Sequence, residues 1–457
     1  MHVAIFGAGP AGFFAAEELL HQTGRAVTVD LFDRLPTPYG LVRDGVAPDH
    51  QHTKDVVRQF EKTAARPGFR FFGNVTFGVD FSLSEVLAHY HQVLLTTGAE
   101  ADRHLGIPGE DLPGSHPATA FVAWFNGHPD YRDAHFDLSA EHAVVVGNGN
   151  VAMDVARILA RSVDELARTD IADHALEALR HSRITDVYLL GRRGPAQAAF
   201  THPELHEMAT LSGVDLVVRP EEIEVDAANQ AFLAQQHSRH PQRNLELLIA
   251  QSAKGEGRER RKIRMRFFVS PVEIQGSGRV ERIRVERNHL EQDAAGNFVA
   301  RGSGVFEEIP CGLVFRSVGY KGRPLVGLPF DDRTGTIPHR EGRVIDPRTG
   351  ATMARVYVAG WIKRGPTGVI GTNRADAVAS VRAMLADADA DPALETLGAD
   401  PAAVPAFLAR KSIQVVTFEA WKHIDALEVA AGHELGRPRK KFTSREDLLA
   451  AARSRAG

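Results

Sequence analysis

The sequence predicts an α/β protein with two doubly wound, parallel-sheet lobes and a helical C-terminal extension. Three observations carry that expectation. A short apolar strand, a glycine-rich turn and a helix follow one another at the start of the chain, and the same order recurs from residue 142. A further strand–turn–helix unit begins at residue 356, after a stretch of alternating, antiparallel character. Strands separated by helices call for parallel sheets covered on both faces.

The elements fall in order. Residues 3–6 form a strand, and a helix runs to about residue 20. A second strand covers 26–32, an irregular Pro/Gly-rich stretch 35–52, and one amphipathic helix about 53–65. Strand-like runs follow at 69–72 and 92–96, with a Pro/Gly-rich crossing at 107–114. The second unit has a strand at 142–146, a helix at 151–160 and a strand at 187–190. Residues 236–262 are basic and poor in apolar residues, so an exposed segment is expected. Alternation at 264–269 and 279–287 suggests antiparallel strands. Strands at 313–317 and 356–359 come next, then a helix to about 385 and a helical tail.

Bulk properties narrow the chemistry. With 457 residues and 43% hydrophobic content, the chain can bury a core of several domains. A net charge of −4 calls for neither nucleic acid nor a membrane surface as partner. The single cysteine, Cys311, excludes an internal disulfide, a CxxC pair and a cysteine-ligated iron–sulfur cluster. No metal site is expected, so an organic cofactor must carry any electrons. The apolar start, 3–14, is interrupted by Gly7, Gly9, Pro10 and Gly12 and reads as strand and phosphate loop rather than leader. A cytoplasmic location is expected.

The first fingerprint is Gly7-Ala8-Gly9-Pro10-Ala11-Gly12. Gly7 allows the tight turn, Gly9 admits a pyrophosphate to the backbone, and Gly12 lets helix and strand pack closely. Asp33 stands 21 residues beyond Gly12, after the second strand, where an acid grips ribose hydroxyls. Asp30 is the alternative, placed within the strand pattern.

The second fingerprint is Gly147-Asn148-Gly149-Asn150-Val151-Ala152, with alanine in the third glycine position. Its following strand ends in Gly191-Arg192-Arg193-Gly194, with no acid. Two guanidiniums there favour a 2′-phosphate, hence NADP(H), over a merely solvated strand end, because glycines flank the pair where the ribose should lie. About 40 residues separate Ala152 from Arg192 against the usual ~20, implying an inserted helix around 173–181. Two sites of different selectivity imply two dinucleotides, most simply a bound FAD and an exchanging NADPH.

Segments 35–43, 45–50, 147–154, 191–195 and 360–373 together resemble the adrenodoxin-reductase-like ferredoxin–NADP⁺ reductases over about residues 1–385. The resemblance implies an FAD domain of residues 1–106 and 320–385 interrupted by an NADP domain, 107–319. The extension 386–457 would join the FAD lobe. It implies FAD contacts at Ala11, Asp33, Leu41, Phe77, Trp361, Gly368, Val369 and Ile370. NADP contacts would fall on Gly147, Asn148, Gly149, Asn150, Arg192, Arg193, Glu204 and Gly368. His50 and Glu207 would serve proton traffic or nicotinamide orientation at the redox centre. The implied partner is a ferredoxin-type iron–sulfur protein taking single electrons. Charge density suggests docking on Arg239, Arg243, Arg258, Arg260, Arg261, Lys262 and Arg264, or simply a solvated face. An NADPH-dependent flavin monooxygenase and a non-catalytic redox sensor are the rival functions.

Overall fold

The computed structural model describes residues 1–224, 227–235, 239–294 and 296–454. The chain folds into two compact units, one of residues 1–101, 126–132 and 319–457, the other of 102–125 and 133–318.

The first unit is built on an eight-stranded sheet. Its five central strands are parallel, in the order Thr352–Val358, Gln92–Leu95, His2–Phe6, Thr28–Asp33, Phe69–Gly73. His2–Phe6 is buried along its whole length, as a strand covered on both faces requires. One apolar core lies between this sheet and the helices Pro10–Leu20 and Ile370–Ala390, and a second fills the opposite face around Phe6, Phe32, Phe77 and Phe81. The tail contributes an antiparallel edge strand, Val416–Thr417, beside Phe69–Gly73. The helix expected at 53–65 is two pieces, Gln51–Lys54 and Val57–Ala64.

The second unit holds a six-stranded parallel sheet, ordered Ser115–Pro117, Leu313–Arg316, His142–Val146, Asp186–Leu190, Arg261–Arg266, Val214–Val218. A three-stranded antiparallel sheet follows it, formed by Val269–Gln275, Arg282–Gln292 and Phe298–Pro310. The extra length before Arg192 contains the helices Val163–Leu166 and Asp173–Arg180.

Two expectations need correction. The segment 236–262 is not simply exposed: 236–238 lie outside the described residues, but His240–Lys254 is a helix burying Leu245 and Leu248. Nor is 264–269 an antiparallel strand, because Arg261–Arg266 runs parallel between two neighbours. Two arginines of that strand are satisfied by acids. Arg266 is buried against Glu222 and Glu307 at 2.7 and 2.8 Å, and Arg264 pairs with Asp186 and Glu256.

Candidate functional site

In the first unit, strand His2–Phe6 ends at Gly7, whose φ of +112° is a conformation that glycine tolerates best. A Cβ there would also lie 2.4 Å from the Thr96 carbonyl oxygen. Gly12 is equally constrained, since a Cβ would sit 2.1 Å from the Gly7 carbonyl oxygen. Gly9 differs: no atom lies within 4 Å of the place its Cβ would take. That glycine relieves no crowding within the protein and leaves a cradle open to a ligand. Gly9 is also the N-cap of Pro10–Leu20 and offers no side-chain cap, so the first N–H groups of the helix remain for an anion.

Asp33 closes the next strand. Its carboxylate accepts the Ala8 and Leu35 N–H groups at 2.8 and 2.9 Å. Burial outweighs those bonds and raises its pKa to about 6. Asp30 is instead committed to the core: burial would raise its pKa, but hydrogen bonds from His2 and Arg70 hold it below the ordinary value. Tyr90 donates to the same carboxylate at 2.7 Å.

Tyr39, at φ +87°, donates its N–H to the Ala8 carbonyl and sets the loop bearing Leu41 beside the phosphate turn. Leu41 is 44% exposed. Phe77 is buried and meets Phe6 edge-on at 4.9 Å. His50 is half-buried and precedes the short helix Gln51–Lys54.

The last parallel strand, Thr352–Val358, leads to Gly360, where a Cβ would lie 2.7 Å from that of Ala11. Gly360 donates its N–H to Asp376, which also pairs with Lys363 at 2.8 Å, and so fixes the turn that presents Trp361. The Trp361 indole Nε1 is buried without a hydrogen-bond partner, a cost that a bound acceptor would remove. Gly368 and Val369 are exposed, and Ile370 opens a 21-residue helix whose N-cap, Val369, supplies no hydroxyl or carboxylate. This helix runs beside Pro10–Leu20, with Arg374 over the Phe14 ring and 3.4 Å from Glu17.

The second unit repeats the cradle. Gly147 has φ +130°, and a Cβ would meet the Ser317 carbonyl oxygen at 2.2 Å, while Gly149 again faces open space. Ala152 is fully buried, so the third fingerprint position has room for a methyl. Asn150 accepts the Thr201 N–H at 2.9 Å, and the Asn148 side chain packs over Gly191. Arg192 is exposed and Arg193 half-buried. Neither guanidinium has an acidic partner among the described residues. Burial and then the neighbouring Arg192 charge hold the Arg193 pKa below its ordinary value.

Glu204 and Glu207 lie on the helix His202–Ala209 and both approach Arg157, at 3.3 and 3.6 Å. Arg157 is wholly buried and is completed by Asp154 at 2.6 Å. Of the expected docking residues, Arg239, Arg243, Arg258 and Arg260 are exposed. The other three are used within the sheet: Arg261 bonds the Ala160 and Arg161 carbonyls, Lys262 the Glu259 carbonyl, and Arg264 two acids. Sequence reasoning missed Arg157 and Asp376, which lie three residues beyond the quoted segments 147–154 and 360–373 and hold residues within them, Asp154 for the first and Gly360 and Lys363 for the second.

Two glycine cradles, one beside an acid and the other beside two unpaired arginines, define a two-dinucleotide oxidoreductase. The family model described as pyridine nucleotide-disulphide oxidoreductase matches residues 1–372. An NADPH-ferredoxin reductase, FprA, of Mycobacterium leprae is 47% identical over 453 residues, covering 98% of this chain and 97% of that protein. A mitochondrial NADPH:adrenodoxin oxidoreductase of Arabidopsis thaliana is 42% identical, with 99% and 95% covered. The solved structure of Mycobacterium tuberculosis FprA in complex with NADPH superposes with a TM-score of 0.93 at 46% identity, covering 99% of each chain. The chain belongs to the pyridine nucleotide-disulphide oxidoreductase family, within its group of NADPH-ferredoxin and adrenodoxin reductases. The disulphide of the family's description has no counterpart here. Cys311 is the one cysteine of the sequence, and burial pushes its thiol up to about 12. Among the described residues, no helix is long and apolar enough to cross a membrane.

Proposed function

We propose that this protein is a ferredoxin–NADP⁺ reductase: its first unit holds FAD, its second holds NADPH, and electrons leave singly to a ferredoxin-type iron–sulfur protein. The observation that carries this reading is the unequal flanking of two otherwise matching cradles. Asp33 accepts ribose hydroxyls on the first, whereas Arg192 and Arg193 offer charge-assisted hydrogen bonds to a 2′-phosphate on the second.

FAD, when bound, accepts an electron pair as hydride and releases electrons one at a time. The protein's own part is positional. Gly9 and Gly149 give the pyrophosphates access to backbone, and the uncapped helices behind Gly9 and Val369 supply N–H groups to phosphate and ring oxygens. Trp361 shelters the redox centre, and Gly368, Val369 and Ile370 form the turn against the flavin. Ala11 and Gly12 pack the first helix, Leu41 and Phe77 wall the flavin, and Asn148, Asn150 and Glu204 border the nicotinamide nucleotide. His50, on the first unit, and Glu207, on the second, are the residues proposed for proton traffic or nicotinamide orientation. A cytoplasmic setting is part of the proposal, because NADPH is an intracellular reductant.

The test is spectroscopic. Anaerobic NADPH should bleach the yellow protein within the turnover time, and oxidised ferredoxin should restore the colour. A purified protein without flavin, or one that NADPH leaves oxidised, refutes the proposal.

A further inference from the structure

We propose that the C-terminal segment from residue 416 is a flavin-retention element, with Glu428 and Lys441 as positioning residues for the loop that carries Leu41. This rests on the reading that the first unit holds FAD.

Glu428 lies on the helix Phe418–Glu434 and is fully buried. It takes both ends of the Arg43 guanidinium, at 2.8 and 2.6 Å, and accepts the Phe442 N–H at 2.9 Å. Arg43 belongs to the short helix Leu41–Asp44, directly after the Tyr39–Gly40 turn. The Trp421 ring lies 5.0 Å from the Arg43 guanidinium, and its Nε1 donates to the Tyr39 hydroxyl at 3.4 Å. Lys441 is buried too, and its ammonium donates to the carbonyls of Arg43 and Asn126, at 2.9 Å each. A third anchor, Arg445, donates to the Arg34 carbonyl at 3.0 Å and to Asn74 at 2.7 Å. That bond falls one residue after Asp33.

The tail therefore grips the chain on both sides of the candidate adenosine and pyrophosphate site. The grip reaches the phosphate turn itself. Gly40 sits so close that a Cβ would lie 3.0 Å from the Gly9 Cα, and Tyr39 donates to the Ala8 carbonyl. Burying a guanidinium–carboxylate pair contributes little net stability over well-packed apolar residues, but its bidentate geometry fixes one register. A device that sets register, placed behind a ligand loop, stabilises the bound form of that loop and keeps the ligand from leaving.

The experiment uses the full chain, deflavinated and titrated with FAD, as Glu428→Gln and separately as Lys441→Met. FAD Kd should rise at least tenfold in the first and at least threefold in the second. The Kd for 2′,5′-ADP at the second unit should stay within twofold in both, a readout that general unfolding would move. A rise below threefold in both variants overturns the inference, as does a parallel loss of 2′,5′-ADP binding. If Glu428→Gln does not fold, Lys441→Met decides alone. An unsubstituted protein that binds no FAD sinks the underlying reading as well, whereas flavin held equally by parent and variants sinks only this one.

Discussion

Replacing Arg192 and Arg193 together by alanine tests the nucleotide assignment most directly. Both side chains follow the strand Asp186–Leu190 and have no acidic partner among the described residues, so their removal orphans no internal carboxylate. Fold stability should change by no more than about 0.5 kcal/mol. Each guanidinium forms charge-assisted hydrogen bonds to a 2′-phosphate worth roughly 1.5–3 kcal/mol. Arg192 is exposed and Arg193 half-buried, so the first belongs at the low end of that range. The pair then supplies about 3–4.5 kcal/mol, or on the order of 10²–10³ in kcat/KM, at tenfold per 1.4 kcal/mol. NADH has no 2′-phosphate, and its kcat/KM should move less than about threefold. Ferricyanide reduction with each nucleotide, at several salt concentrations, measures the ratio; the variant should also lose most of the salt dependence seen with NADPH. Equal losses with both nucleotides would refute the assignment.

Three further outcomes follow from the first unit. Asp33 has a pKa of about 6 in the flavin-free fold, above its ordinary 3.8, so that fold loses stability as pH rises from about 4 to 6. Ribose hydroxyls donate to the ionised form, so FAD affinity should be full above about pH 6 and fall by up to tenfold per unit below it. Fluorescence titration from pH 5 to 8 reads this, and a flat profile matching that of Asp33→Asn excludes Asp33 as the ribose ligand. Gly9→Ala should leave the unfolding midpoint in urea nearly unchanged but weaken FAD binding at least tenfold, because only a ligand occupies the space its methyl would fill. Gly7→Ala should destabilise the fold by ~1–3 kcal/mol through its positive φ, with crowding against Thr96 adding to that. The reverse order of effects on stability is the losing result.

What the sequence disclosed was local. Both fingerprints, the spacing to Asp33 and the inserted helix before Arg192 can be read because each is a run of neighbours with one physical demand. The parallel, central place of the strand Arg261–Arg266 was hidden because a central strand normally reads as apolar. Here Arg264 and Arg266 are neutralised by Asp186, Glu222, Glu256 and Glu307, and Arg261 bonds the Ala160 and Arg161 carbonyls. The helix His240–Lys254 was hidden for a related reason: Asn244, Gln251 and Ser252 share its buried face with two leucines. The break between Lys54 and Val57 has no proline or glycine to announce it. The grip of Glu428 on Arg43 spans 385 positions and leaves no periodic trace.

The division of the chain also governs when each part is made. The second unit is complete once residue 318 has emerged from the ribosome, and its contacts join residues from 102 onward. The first unit waits. Its strand His2–Phe6 pairs early with Thr28–Asp33, but Thr352–Val358 must arrive to cover Gln92–Leu95, and Arg445 to secure Arg34. Such distant closures are entropically costly and slow. During synthesis residues 1–101 therefore stand as an unfinished half-sheet while the later-made unit matures, exposing apolar strand faces that the finished fold buries.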